Sequence, residues 1–566
     1  MFNTLPHAVD SFMDWEWSQI QPYIENLLTR ELTPDSIQAW LADWTTLSNL
    51  LSERFTRLQV ATTVNTKDTE AETRLKSYLD TIYPHAIASS QQLAEKLVTS
   101  GLSAKDFDIP LRNIRAQVEI FNKANIPLFT ELHKLGQEYD KIVGDQTVDW
   151  NGEERTIRQL NPILQEQDRA IREQVWHLAS QRQLQDREAL NGLWAKLLTI
   201  RRQIAENAGF SNYRDYQWKA MQRFDYTPDD CFAFHEAIEK AVVPAAQRIY
   251  ERRRQQLGVE ALRPWDLSVD PKGLAPLRPF NEVSQLEKRC ATIFENVDPE
   301  LGAYYHIMQQ ERLLDLDNRK GKAPGGYCTS FPIKNQPFIF MNAVGIHDDV
   351  QTMLHESGHA FHVFESAQWP YFQQMDVPME FAEVASMAME LLAAPYLNDT
   401  HGGFYNNADS ARARVEHLTE IITFWPYMAV VDAFQHWVYD DPDRAMNPAN
   451  CDAQWGSLWD RFMKGIDWSG LDNEKVTGWH RKLHIFQVPF YYIEYGLAQL
   501  GAVQVWKNAL SDQAAALQSY RHALSMGGTR TLPELYQAAG AKFTVETETL
   551  AEAVALVEET IVELEA

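Results

Sequence analysis

The chain is short of cysteine, short of positive charge and without a long apolar run, and each shortage removes a class of function. Four cysteines in 566 residues, Cys231, Cys290, Cys328 and Cys451, stand far apart and form no Cys-x-x-Cys pair. That argues against a disulfide framework and a thiolate zinc finger, and suits the reduced thiols of a cytosolic protein. Lys and Arg number 52 against 78 Asp and Glu, a net charge of −26. Nucleic acid is not an expected partner, because phosphate binding needs clustered cations. The run Arg252-Arg253-Arg254 reads as a solvated helix face. No segment holds the roughly 20 apolar residues that would span a bilayer, so no membrane partner is expected. The start, Met1-Phe2-Asn3-Thr4-Leu5-Pro6, lacks the basic and apolar stretches of a secretory leader, and a cytoplasmic location is expected.

What is present is apolar residue at 45% with 17 tryptophans, enough for a large core. Helical periodicity dominates from Ile37 to Leu58, Glu70 to Thr99, Asp168 to Ala208 and Ser511 to Met526, and the last stretch, Glu546 to Ala566, reads as a terminal helix. The fold class is mainly α. Thr147 to Thr156, with Asp149, Asn151 and Gly152, reads as a hairpin or loop, and proline-rich Leu257 to Pro279 as a long irregular connection.

One pentapeptide carries chemistry: His355-Glu356-Ser357-Gly358-His359. Residues four apart on a helix lie one above the other, so both imidazoles can reach a single ion. Glu356 is turned by about 100° from His355, which places it beside the ion as a base for water rather than as a ligand. Asp348 is positioned to cap this helix, with Gln351 in capping-box register and Pro370 beyond its end. Val350, Met353, Leu354, Phe361 and Phe364 form its apolar stripe. His362 continues the face but stands about 10 Å along the axis from His355, too far for one tetrahedral ion, so a supporting role is expected.

The third ligand must come from another element. Pro378 to Ser386 reads as the start of a second helix that Pro395 ends, and it offers Glu380, Glu383 and Glu390. Alanines 382, 385 and 388 allow close approach of a neighbouring helix. Spacing favours Glu383, which is flanked by apolar residues and would need a partner once buried, but leaves the others open.

These residues resemble the zinc oligopeptidases related to thimet oligopeptidase and oligoendopeptidase F, in which His-Glu-x-Gly-His is followed by Phe-x-Glu. Phe381-Ala382-Glu383 matches the second segment. The likeness extends to Gly321 to Tyr327, Pro337 to Asn342 and Phe490 to Gly496, and covers most of residues 160 to 545, with the oligoendopeptidase F branch the better match. The proline that the thimet branch carries two residues after its glutamate is absent, where this chain reads Val384-Ala385-Ser386. The resemblance implies one zinc ion on His355, His359 and Glu383, with Glu356 as general base. It also implies a helical ellipsoid with a deep substrate channel and a small β-sheet beside the zinc helix. Such a channel admits short, unfolded oligopeptides and excludes folded proteins.

Hydrolysis also needs a donor for the oxyanion. Tyr492 and Tyr495 are three apart, and Tyr491 and Tyr495 four apart, so a helix can aim two of them into one cleft. The family carries a tyrosine pair three apart with an upstream histidine, which here corresponds to Tyr492 and Tyr495 with His484. The run Phe338 to Met341 reads as a strand, able to pair with an extended peptide if its edge is free. Gly325 and Gly326 either turn the chain or let a ligand approach, and Cys328 is expected to be inert packing.

The expected division is an N-terminal helical domain over 1–160, forming one channel wall, and a catalytic domain over 161–566. The expected function is zinc-dependent hydrolysis of internal bonds in short oligopeptides; the oligomeric state is left open. Two alternatives stand: a zinc carboxypeptidase or peptidyl-dipeptidase, which would need a cation for the substrate's terminal carboxylate, and a helical scaffold with an incidental motif.

Overall fold

Amphipathic periodicity becomes helix over most of the chain, and its interruptions fall where the local chemistry demands. The computed structural model describes residues 1–566. The expected helix from Glu70 to Thr99 is two helices, Thr69–Thr81 and Tyr83–Ser100. Pro84 has no N–H to give the preceding turn, so the chain restarts there. The stretch from Asp168 to Ala208 also divides, into Arg169–Gln185 and Arg187–Asn207, with Asp186 ending one helix and opening the next. The helix expected from Ile37 to Leu58 runs on to Val64, and the terminal helix spans Thr547–Glu565. The helix Val243–Leu257 ends where the irregular connection was expected to begin, and residues 258 to 279 contain only a short turn at Pro264–Asp266. No helix is long and apolar enough to cross a membrane. All four cysteines are unpaired thiols.

Two small sheets complete the fold. Strands β1 (Thr147–Trp150) and β2 (Glu153–Thr156) form a hairpin, with Asn151 and Gly152 both at positive φ in its turn. Strands β3 (Leu314–Asp317), β4 (Tyr327–Phe331) and β5 (Gln336–Ala343) form the second sheet in the order β3-β5-β4. Strand β5 pairs parallel to β3 and antiparallel to β4, so Phe338 to Met341 has no free edge; the sheet's edge strands are β3 and β4. Its side chains explain the placement, since residues 337 to 341 are all buried, as befits a central strand covered on both faces.

The histidine helix His347–Ser366 packs on this sheet and on the glutamate helix Met379–Ala393, which packs in turn on the tyrosine helix Tyr492–Ser511. A long helix, Asn407–Asp440, flanks them. The apolar residues form a main core drawn from Ile120 onward and a separate core from Leu5 to Ile114, joined by Tyr371.

Candidate active site

The histidine helix begins one turn after β5, and its start is built by Asp349. Oδ2 of Asp349 accepts the backbone N–H groups of Val344, Gly345 and Ile346 at 2.8, 2.7 and 3.0 Å. Ile346 is the N-cap, so the carboxylate at the third helical position reaches back to the free amides. The expected cap, Asp348, instead pairs with Arg158 Nη2 at 2.6 Å. Val350, Met353, Leu354 and Phe361 are fully buried, and Phe364 stacks on Tyr304.

Gly358 lets the glutamate helix come close. A Cβ at this position would stand 2.5 Å from Ser386 Cα and 2.6 Å from the Ala385 oxygen. Only glycine fits, and the close approach brings Glu383 to the histidines. Glu383 Oε2 lies 3.2 Å from His355 Nε2 and 3.4 Å from His359 Nε2. A tetrahedral ion with arms of about 2.0–2.1 Å has ligand-to-ligand edges of about 3.3–3.4 Å. Both glutamate–histidine edges therefore match the spacing a tetrahedral cation requires, and the three ligand atoms lie within 4.8 Å of one another.

Second contacts orient each of them. His355 Nδ1 donates to Glu390 Oε1 at 2.7 Å, which leaves Nε2 free to face Glu383. Glu390 also accepts from His417 Nε2 at 2.7 Å. Burial alone would raise the Glu390 pKa, but these imidazoles hold it down to about 2. Glu383 accepts from Tyr491 Oη at 2.6 Å and from Ser386 Oγ at 3.0 Å. Burial opposes its charge, yet His359 and His355 keep it well below the usual carboxylate range. That is the environment of a carboxylate meant to stay ionised beside a cation.

Glu356 is 6% exposed, and its Oε2 has no hydrogen-bond partner. Burial, the largest influence, raises its pKa, the direction that favours accepting a proton. Gly326 lies directly against it, with a built Cβ 3.4 Å from Glu356 Oε1. Gly325 turns the chain at φ +87, so the two glycines divide the roles of turn and close approach. Cys328 also feels the Glu356 carboxylate, after burial, and its thiol is pushed well above the normal range.

The remaining residues fall outside the triad. His362 packs edge-on against Phe381, its pKa lowered by burial to about 3, and its Nε2 meets no partner. Glu380 accepts from Tyr226 Oη at 2.6 Å and lies 3.5 Å from Arg223 Nε, turned away from the histidines. Among the tyrosines, Tyr491 contacts Glu383, while the Tyr495 hydroxyl is 3.2 Å from His484 Nε2. Burial and then Glu383 raise the Tyr495 pKa, so its hydroxyl stays protonated. Tyr492 accepts from Lys482 Nζ at 2.9 Å and packs on Phe424 and Tyr427. Burial lowers His484 to about 3, and Lys482 adds to it, so this imidazole is neutral. Tyr491 thus reaches the ligand set directly, Tyr495 lies against Tyr491 and His484, and Tyr492 is turned to Lys482. His417, absent from the sequence reading, has no local signal; Glu390 has one, since it lies two turns after Glu383 on the same face.

Residues 163–555 match the description of peptidase family M3. The chain belongs to peptidase family M3. An M3 peptidase is a metallopeptidase, which accords with the His355, His359 and Glu383 donor set. An oligoendopeptidase F homolog of Mycoplasma pneumoniae is 22% identical over 474 residues, 76% of this chain and 72% of that protein. Another, from Borreliella burgdorferi, is 22% identical over 51% of this M3 chain and 48% of its own length, so the chain spans about half of that relative. PZ peptidase A superposes with a TM-score of 0.92 at 26% identity, over 100% of this chain and 99% of the other. A Bacillus anthracis protein described as an oligoendopeptidase F shares the fold, with a TM-score of 0.87 at 22% identity and 98% of each chain covered.

Proposed function

We propose that this M3 peptidase is a zinc-dependent endopeptidase of short, unstructured oligopeptides. The observation that carries the reading is the spacing of His355 Nε2, His359 Nε2 and Glu383 Oε2, with the unpartnered Glu356 Oε2 on the adjacent residue of the same helix. His355, His359 and Glu383 would hold one ion. When bound, zinc supplies Lewis acidity that lowers the pKa of water and polarises the scissile carbonyl.

The chain's own groups do the rest. Glu356 Oε2 accepts the proton of the attacking water and later returns it to the leaving nitrogen. Tyr495, and Tyr491 once substrate displaces it from Glu383, donate hydrogen bonds to the oxyanion. Tyr492, with His484 behind Tyr495, supports that arrangement by packing and hydrogen bonding. The outer edge of β4, beside Glu356 through Gly326, is the strand position where an extended peptide would pair. The N-terminal helices, residues 1–160, would form the facing wall.

An exopeptidase needs a free cation for the substrate carboxylate. Lys482 lies nearest the tyrosines, but its ammonium is engaged by Tyr492 Oη and lies over the Tyr492 ring. Cleavage of an internally quenched peptide of about ten residues should be abolished by chelator and restored by zinc, with products from internal bonds. Glu356→Gln should retain the metal and lose about 10²-fold to 10⁴-fold in kcat. A fully active Glu356→Gln enzyme would refute the mechanism, and stepwise loss of C-terminal residues would favour the exopeptidase.

A further inference from the structure

A second cluster of side chains of metal-ligating type lies in the core, on helices that contribute no ligand atom to the His355 set. Helix Pro228–Ala241 carries Cys231 and His235, four residues apart; the long helix Asn407–Asp440 carries Asp432 and His436, also four apart. Each pair occupies one helix face, and the two faces meet. One ligand atom each from Cys231, Asp432 and His436 lies within 4.8 Å of the others. His235 Nε2 is 2.8 Å from Asp432 Oδ2.

All four side chains are buried: Cys231 is 1% exposed, His235 2%, Asp432 0% and His436 2%. Their polar atoms are nevertheless incompletely satisfied. Asp432 Oδ1 and both ring nitrogens of His436 have no hydrogen-bond partner. His436 Nε2 lies 3.3 Å from Asp432 Oδ2, within ion-pair distance but out of line for a hydrogen bond. The surroundings offer little else, since Phe232, Phe490 and Trp218 enclose the His436 ring at 4.7, 5.2 and 5.9 Å. A buried carboxylate with an idle oxygen, facing an imidazole with two idle nitrogens, costs stability unless a cation joins them.

We infer that Cys231, Asp432 and His436 bind a structural divalent metal ion, with His235 holding Asp432 in place. A thiolate, a carboxylate and imidazole form the donor set of a borderline-soft ion, zinc foremost. Charge balances: Cys231 releases its thiol proton to solvent on binding, and the thiolate with the Asp432 carboxylate offsets the two positive charges in a dry core. The ion joins the two helices beside the tyrosine segment. Phe490, on which His436 packs, sits at φ +68, with its N–H donated to Gln435 Oε1 at 2.7 Å and its carbonyl accepting Arg223 Nη2 at 2.6 Å. Its next residue is Tyr491, so the buried ion would brace the backbone that presents that hydroxyl to Glu383.

Metal counting by mass spectrometry on the full chain purified with zinc tests this. The expected result is two zinc ions per chain in the wild type and one in His359→Ala, which lacks the active-site ligand. Cobalt loading separates the sites, because only the Cys231 site contains sulfur. Wild type and His359→Ala should both show a near-ultraviolet sulfur-to-cobalt charge-transfer band, and Cys231→Ser should lack it while keeping one ion. One ion per wild-type chain, or a cobalt-loaded His359→Ala protein without that band, overturns the inference. Neither readout requires Cys231→Ser to fold or the enzyme to be active.

Discussion

Gly358→Ala changes no ligand and no charge, yet it should disable the site. The added methyl would meet Ser386 Cα at 2.5 Å and the Ala385 oxygen at 2.6 Å. Both are backbone atoms of the glutamate helix, so no side-chain rotation relieves the clash. Carbon atoms prefer about 3.5 Å or more, and the two helices must part by about 1 Å. Glu383 moves with its helix while His355 and His359 stay on theirs. The ligand edges of 3.2 and 3.4 Å then open beyond the tolerance of about 0.2 Å in metal–ligand distance. Overpacking should cost about 1–3 kcal/mol of folding stability. Misplacement of about 1 Å should cost on the order of 10²-fold in kcat/KM. The control is Gly192→Ala, on a helix where an added Cβ meets nothing within 4 Å. It should stabilise the protein by about 0.5–1 kcal/mol and leave activity alone. Competition with a chromophoric chelator, thermal melts and cleavage of a quenched peptide measure the three effects. Gly358→Ala with wild-type metal affinity and kcat/KM within twofold would show that helix approach does not position Glu383.

Three further outcomes are expected. Glu390→Gln removes the charge that orients His355 and should weaken metal binding by about 10-fold to 100-fold, read by the same chelator competition; unchanged affinity would refute the orienting role. Tyr491→Phe and Tyr495→Phe should lower kcat more than Tyr492→Phe, because Tyr491 donates to Glu383, Tyr495 lies against Tyr491, and Tyr492 is turned to Lys482; the reverse order would place the oxyanion donor at Tyr492. Acid should destabilise the fold through His347 and His480, whose pKa values burial lowers from 6.5 to about 4 and about 3. Unfolded imidazoles bind protons below 6.5 that the folded ones refuse, so each costs about 2 kcal/mol at pH 5 relative to neutral pH. The melting temperature should therefore fall from pH 7 to pH 5, and His480→Gln should flatten that slope; a level profile in the wild type would contradict it.

Local sequence pattern sets part of the site and packing sets the rest. Spacing in His355 to His359 is a property of one helix, so both imidazoles and the flanking Glu356 were legible from the pentapeptide. The same holds for the hairpin at Asn151-Gly152 and for the proline-marked start of the glutamate helix, where backbone chemistry acts within a few residues. The helix interruptions at Pro84 and Asp186 were less legible, because apolar periodicity continues through both.

Tertiary structure decided the rest. Glu380, Glu383 and Glu390 all occur on one short helix, and only the approach allowed at Gly358 puts Glu383 against the histidines, Glu390 behind His355 and Glu380 beside Arg223. Tyr491 stands ahead of Tyr492 because the positive φ of Phe490 sets where the tyrosine helix begins, a backbone state that side-chain spacing does not encode. Strand β5 was readable as a strand, but its central position depends on β3 and β4, which reach it from different directions. Cys231 and Asp432 are distant in sequence and meet only because two helices pack. The sequence by itself determined the helical class, the family resemblance and the chemistry of the histidine pair, since these depend on composition and neighbouring residues. Which distant side chains complete the site depended on helix separations of about an ångström, set by the packed core as a whole.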